Sequence, residues 1–281
     1  AVLHCVEHAN GVVVNVNHIG TVDLEALQAV LSPEVTSVSV MAVNNETGAI
    51  TDMAAVSKMV RRYAPQAMLH TDAVQAACWI DLRTIWPLVD TMALSAHKFG
   101  GPKGVGILVV REGKYFEPTV LGGGQERDRR SGTHNVGGIV AAAEALRITD
   151  VERGNEVARI SALRDKLFAG LLAIDGAHRT IPAEHSVPGI VHLCLQGIES
   201  ESLLYLLDEV DVCASAASAC ASGAMEPSHV LAAMGLSSDL TMGALRLSLG
   251  HTTTENDIDR AIEAIIEAVT RIRAIQNRRS L

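Results

Sequence analysis

One lysine stands where a covalent bond to a cofactor could form. In Ser95-Ala96-His97-Lys98-Phe99-Gly100-Gly101-Pro102-Lys103-Gly104, Lys98 follows a strand-like run directly and precedes two glycines. A lysine flanked by Ser and His in that position suits Schiff-base chemistry, and the glycines let backbone approach a bound group closely. Taken alone, Lys-Phe-Gly-Gly is more often a solvated lysine before a turn. Asp72 shifts that balance. His70-Thr71-Asp72-Ala73-Val74-Gln75 sets a carboxylate at the end of the preceding strand-like run. A pyridine cofactor such as pyridoxal phosphate needs such a carboxylate beside its ring nitrogen, to keep the nitrogen protonated and the ring able to accept carbanion electrons. Alone, Asp72 would read as a helix N-cap. Two such residues at two strand ends make a far more specific signal.

A thiol offers a second kind of chemistry. Cys220 lies in Ala214-Ser215-Ala216-Ala217-Ser218-Ala219-Cys220-Ala221-Ser222-Gly223, a run of small residues with no bulky anchor. The run predicts a mobile thiol, one that could take up sulfur in one place and release it in another. The thiolate is the nucleophilic form. Cys5, Cys78 and Cys194 sit in apolar runs and are expected in the core. Cys213, after Val212 at an apparent strand end, is also expected to be structural. The five cysteines form no CxxC pair and no zinc-like grouping, which suits a reducing compartment and a cytoplasmic location.

These residues need elements to hold them. Strand candidates are Val12–Val16, Val35–Val43, Ala67–Thr71, Thr91–Ser95 and Gly106–Val110. Between them, Asp23–Leu31 and Asp52–Tyr63 carry apolar residues at helical spacing, each opened by an aspartate. Strands alternating with helices predict βαβ units and a mainly parallel sheet, with ligands beyond the carboxyl ends of its strands. Asn44-Asn45-Glu46, Asp72 and Ser95-Ala96-His97-Lys98 all fall at such ends. The second half predicts helices over Gly138–Arg147 and Val157–Ala173, and a Thr252–Glu255 capping box for a helix running towards Asn277. Short apolar runs lie around Gly189–Leu195 and Arg246–Leu249. A domain boundary is expected near Glu152, giving domains 1–152 and 153–281.

Composition limits the partners. The 281 residues carry a net charge of −9, with 32 acidic against 23 basic side chains, and only 3% aromatics. Nucleic acid and anionic membranes call for a clustered basic field, and single-stranded nucleic acid for stacking platforms, so neither is expected to bind directly. No apolar run approaches the roughly 18 residues of a membrane span. The chain opens on Ala1-Val2-Leu3, in mid-pattern and without Met, so a missing upstream segment is expected.

The sequence resembles the cysteine desulfurases of the class V aminotransferase group. The resemblance rests on Val43-Asn44-Asn45-Glu46-Thr47-Gly48, the His70–Gln75 run, Ser95–Gly104, Gly122–Thr133, Ser215–Pro227 and Arg246–Gly250, in the family's order and over nearly the whole chain. It implies an α/β fold of the pyridoxal-phosphate-dependent transferase type I. The large domain would bind the cofactor and lack its N-terminal part, and a smaller α/β C-terminal domain would carry the cysteine loop. Lys98 then becomes the Schiff-base lysine and Asp72 the pyridinium partner. Asn45 and Gln75 would bond the ring oxygen, Ser95 and His97 the phosphate, and Thr133 the phosphate of the other subunit's site in a homodimer. Arg246 would clamp the substrate carboxylate, a task suited to a forked guanidinium. Cys220 would attack the sulfur of L-cysteine, keep it as a persulfide and pass it to an acceptor protein such as an iron–sulfur scaffold. The family's stacking histidine would lie upstream of Ala1; His4 does not inherit that role and reads as an ordinary helix residue. Another class V aminotransferase, a selenocysteine lyase and a non-catalytic remnant stay open as alternatives.

Overall fold

Four of the five strands expected in the first half form, and one does not. The computed structural model describes residues 2–216 and 228–279. Helices α1 (Val2–His8) and α2 (Leu24–Val30) come first. Asp23 caps α2, its Oδ1 accepting the amides of Glu25 (2.9 Å) and Ala26 (3.0 Å). Between the two helices, Val12–Val16 is not a strand. Val12 and Val13 are exposed, and the run's one ladder contact is the bridge from Val16 to Val22. β-Branched residues favour a strand only where a neighbour pairs with it and covers a face.

The chain divides into two compact units. Unit 1 holds Ala1–Val2, Leu31–Ala42 and Met53–Arg153; unit 2 holds Leu3–Val30, Val43–Asp52 and Gly154–Leu281. The last division falls between Arg153 and Gly154, and two earlier segments, Leu3–Val30 and Val43–Asp52, group with the C-terminal part.

Unit 1 is built on a four-stranded sheet, with β1 (Ser37–Met41), β2 (Met68–Asp72), β3 (Thr91–Ser95) and β4 (Gly106–Val110) in that order. β1, β2 and β3 run parallel, and β4 turns back antiparallel on β3. The helical crossover α3 (Met53–Tyr63) buries Met53, Val56, Ser57 and Val60, the i, i+3, i+4, i+7 face its sequence prescribes. A short helix, α4 (Leu82–Ile85), precedes β3.

Asp90, immediately before β3, pins the sheet. It accepts the Leu69 amide and Arg61 Nη2, each at 2.8 Å, with Lys114 Nζ at 3.4 Å. Burial alone would raise its carboxyl, but these donors outweigh burial and hold it below the usual range. Asp90→Ala is expected to destabilise the protein by about 3 kcal/mol, because it strands a buried amide and removes the acid partner of three cations, Arg61, Lys114 and, at 4.0 Å, Arg111. Urea unfolding checks this, and an unchanged midpoint would show that the cluster adds nothing.

A single helix, α5 (Val136–Leu171), replaces the two expected around Gly138–Arg147 and Val157–Ala173. Gly154, the weakest helix former between them, carries no break, and Arg153 anchors the stretch by donating to the Ala77 carbonyl at 3.0 Å.

In unit 2, β5 (Ala177–Arg179), β6 (Ile190–Leu195) and β7 (Ala244–Ser248) form an antiparallel sheet with β6 in the centre. All six β6 residues are buried, which is why its sequence reads as a continuous apolar run broken only by His192. Helices α6 (Ser200–Asp208), α7 (His229–Ala233), α8 (Ser238–Thr241) and α9 (Glu255–Arg279) complete the unit. The α9 capping box sits two residues later than expected. Thr254 Oγ1 accepts the Asp257 amide at 3.2 Å, and Asp257 Oδ2 accepts the Thr254 amide at 2.8 Å. The expected cap, Thr252, lies instead inside a tight Gly250–Thr253 turn, in which the Thr253 hydroxyl accepts the Gly250 amide and the Thr253 amide donates to the Gly250 carbonyl, both at 2.9 Å.

Candidate active site

The carboxyl ends of β2 and β3 carry the first group of candidates. Met41, Asp72 and Ala93 lie side by side across the three parallel strands. Asp72 is the last residue of β2, half-buried, and a turn follows it rather than an α-helix. Its Oδ1 accepts the Val74 amide at 3.0 Å, which orients the carboxylate within that turn. Gln75 is half-buried three residues further on.

β3 ends at Ser95 and the chain tightens at once into a 3-10 turn, Ala96–Phe99. Ala96 and Phe99 point inward, whereas His97 and Lys98 are exposed. Gly100 closes the turn with φ +81°, a left-handed conformation that glycine adopts without strain. Ser95 Oγ lies 2.8 Å from His97 Nδ1, so hydroxyl and imidazole form one polar pair beside Lys98.

Cys78 supports this turn from below, which the sequence did not signal. Its Sγ donates to the Lys98 carbonyl at 3.2 Å. Burial pushes the thiol up to about 11, with Arg153 opposing, so it stays a protonated donor. The expected core role is thus half right: Cys78 is half-buried and engaged in fixing backbone.

Thr133 lies further along unit 1, exposed, after a run in which Glu126, Arg127 and Asp128 all adopt positive φ. Three consecutive non-glycine residues in this region carry a conformational cost.

The second group belongs to unit 2. Asn44 organises the turn that holds Asn45: its Oδ1 accepts the amides of Glu46 and Thr47, both at 2.9 Å. Gly48 closes the turn at φ +79°, where a Cβ would come within 3.1 Å of Ile190. Asn45 is exposed, and its carbonyl accepts Arg246 Nη1 at 3.2 Å. Arg246, in β7, also exchanges backbone hydrogen bonds with Ser215, at 2.8 and 3.1 Å. Asn45 and Arg246 are therefore brought together, with the approach to the cysteine run anchored on Arg246. Cys220 lies outside the described residues.

The remaining cysteines differ from expectation in two places. Cys194 is buried in β6, as expected. Cys5 is exposed, because α1 turns no residue into a core. Cys213 is exposed too, and lines a cavity of about 230 Å³ with Leu247, Thr252 and Arg260. His4 is an exposed helix residue paired with Glu7 at 3.1 Å.

Residues 3–261 match the family model for class-V aminotransferases. A cysteine desulfurase of Cereibacter sphaeroides is 40% identical over 258 residues, 91% of this chain and 65% of that protein. The cysteine desulfurase IscS of Haemophilus influenzae is 38% identical over 91% of this chain and 63% of its own length. The solved structure of a NifS-like protein superposes with a TM-score of 0.88 at 36% identity, covering 96% of this chain and 72% of that one. The chain belongs to the class-V aminotransferase family. It spans just under two thirds of the length of the curated relatives it matches.

Members of that family depend on pyridoxal phosphate. The donor set at the sheet edge of unit 1 fits such a group. It offers a carboxylate for a ring nitrogen, an amide for a ring oxygen, a hydroxyl–imidazole pair for a phosphate and an exposed amine for an aldehyde. No helix of the described residues is long and apolar enough to cross a membrane.

Proposed function

We propose that this protein uses pyridoxal phosphate to remove sulfur from L-cysteine, giving L-alanine and a persulfide on Cys220 for an acceptor protein such as an iron–sulfur scaffold. The observation that carries this reading is the strand register. Asp72 ends β2 beside Ala93 of β3, and β3 leads straight into Ser95, His97 and Lys98.

Pyridoxal phosphate, when bound, supplies an electron sink for the pair left at the substrate Cα. The chain's own residues do the rest. Asp72 keeps a proton on the ring nitrogen, Asn45 and Gln75 bond the ring oxygen, and Ser95 and His97 hold the phosphate. Lys98 Nζ would bond the cofactor aldehyde and move the proton at the substrate Cα. Arg246 holds the substrate carboxylate through its guanidinium. The Cys220 thiolate attacks the substrate sulfur: an S–S bond forms, the C–S bond breaks and the carbon fragment leaves as alanine once protonated. Sulfur is conserved and no outside oxidant is required.

The homodimer belongs to the same reading, with Thr133 completing the partner's phosphate site. Its support is the apolar surface that the first half of α5 leaves open, where Val136, Ile139, Val140 and Val151 are exposed at helical spacing. The cytoplasm, as a reducing compartment, is the proposed location.

Asp72→Asn tests the reading. An amide still hydrogen-bonds but brings no charge to the ring nitrogen. The variant is therefore expected to keep its cofactor absorbance while losing about a hundredfold or more in alanine formation from L-cysteine. Near-normal turnover would contradict the role given to Asp72.

A further inference from the structure

Glu46 is a buried carboxyl to which the reaction above gives no task. It lies in the turn of unit 2 that carries Asn45 and is only 3% exposed. Its amide is pinned by Asn44 Oδ1 at 2.9 Å, so the turn fixes where the side chain goes. Its Oε1 accepts a hydrogen bond from the Ser228 hydroxyl, itself 4% exposed. Ser228 is held in turn as the cap of α7, accepting the Leu231 amide at 3.2 Å. One residue before Glu46, the Asn45 carbonyl takes the Arg246 guanidinium. Carboxyl and guanidinium are thus tied to the same two-residue stretch of chain, the carboxyl buried and the guanidinium at the more open end, and burial of one partner strengthens the charge interaction between them.

We propose that Glu46 is a positioning residue that sets, by its protonation, how strongly Arg246 holds a substrate carboxylate. The proposal rests on the assignment of Arg246 to that carboxylate. With Glu46 protonated, the full guanidinium charge faces the substrate. With Glu46 ionised, part of that charge is engaged and the substrate carboxylate meets an added negative neighbour.

Among the described groups on β6 and β7 beside it, Glu46 is the one whose charge changes near neutrality. Burial raises its carboxyl to about 7, against the opposing pull of the Ser228 hydroxyl and of Arg246. His192, opposite Arg246 across β6 and β7, is pushed down to about 3 by burial and by Arg246, so it stays neutral. Cys194, on the same strand, is raised to about 11 by burial, with Thr180 opposing and Glu46 adding, and stays a thiol. An anionic ligand favours the protonated carboxyl, so its binding above about pH 7 takes up a proton.

Propionate, a plain carboxylate with no amine or thiol, is the probe. It is titrated calorimetrically into the cofactor-loaded protein between pH 6 and 8.5, in two buffers of different ionisation enthalpy. The wild type is expected to lose about tenfold in affinity across the range, with a break near 7 and proton uptake above it. Glu46→Gln is expected to abolish the break and the uptake, holding the low-pH affinity throughout. Ser228→Ala is expected to move the break to higher pH, because the hydroxyl favours the ionised carboxyl. A flat wild-type profile, a Glu46→Gln profile that keeps the break, or a Ser228→Ala break that does not rise would each overturn the proposal while leaving Arg246 in place. Undiminished binding by Arg246→Ala would overturn the Arg246 assignment itself, and the proposal with it.

Discussion

Borohydride reduction of the cofactor-loaded protein is expected to leave its pyridoxyl label on Lys98, and Lys98→Ala is expected to lose about 10³-fold or more in desulfuration. The argument is local. Lys98 leaves β3 within three residues, in a turn whose backbone is fixed at both ends. The Gly101 amide closes it onto the Ala96 carbonyl at 2.8 Å, and Cys78 holds the Lys98 carbonyl. The backbone is thereby set while the side chain is exposed, which is what a lysine needs in order to bond a cofactor and later to move a proton. Lys103 is the control. It is also exposed, but it follows Pro102 in the next turn and lies outside the 3-10 turn that Cys78 braces. Arginine at 98 would keep a charge yet could not form the bond, so Lys98→Arg is expected to be as inactive as the alanine variant. A label mapped to Lys103 would sink the assignment.

Much of this frame was legible because the residues were locally consistent. Thr91–Ser95 and Gly106–Val110 form the strands expected of them, since each is an apolar, β-branched run bounded by turn residues. Asp72 and Lys98 could be placed at strand ends before any coordinates were known. What failed did so where pairing or context decides. Val12–Val16 has strand composition but pairs only through Val16. The helical pattern lapses between Arg147 and Val157, where Gly154 lies, yet α5 runs through that stretch with Arg153 held on the Ala77 carbonyl. Cys78 under Lys98 and Ser228 on Glu46 join residues 20 and 182 positions apart, and no spacing rule connects them. Ser228 did carry a weak signal, as a serine after Pro227 at the head of a helix. Glu46 stood in plain view in Asn44-Asn45-Glu46; its burial did not.

Cys220→Ser is expected to separate the two halves of the proposed reaction. Lys98 and Asp72 act on the Cα–H bond, whereas Cys220 acts only on the sulfur. The serine variant should therefore still give the spectral change that L-cysteine causes in the cofactor-loaded protein. It should accumulate no persulfide, and its alanine formation should fall about 10²-fold or more. Serine matches cysteine closely in size, so a packing defect is a poor explanation for that pattern, and an unchanged unfolding midpoint would exclude one. Cys213 is the informative comparison. The structure leaves it exposed on a cavity lined by Leu247 and Arg260, so it is accessible to sulfur if accessibility alone were sufficient. The proposed reaction asks for more: the thiol must reach a substrate held by Arg246. Cys213→Ser should then retain near-normal turnover, with the persulfide still mapping to residue 220 by mass spectrometry. Full desulfuration by Cys220→Ser, or a persulfide found on Cys213, would move the sulfur carrier to the earlier thiol.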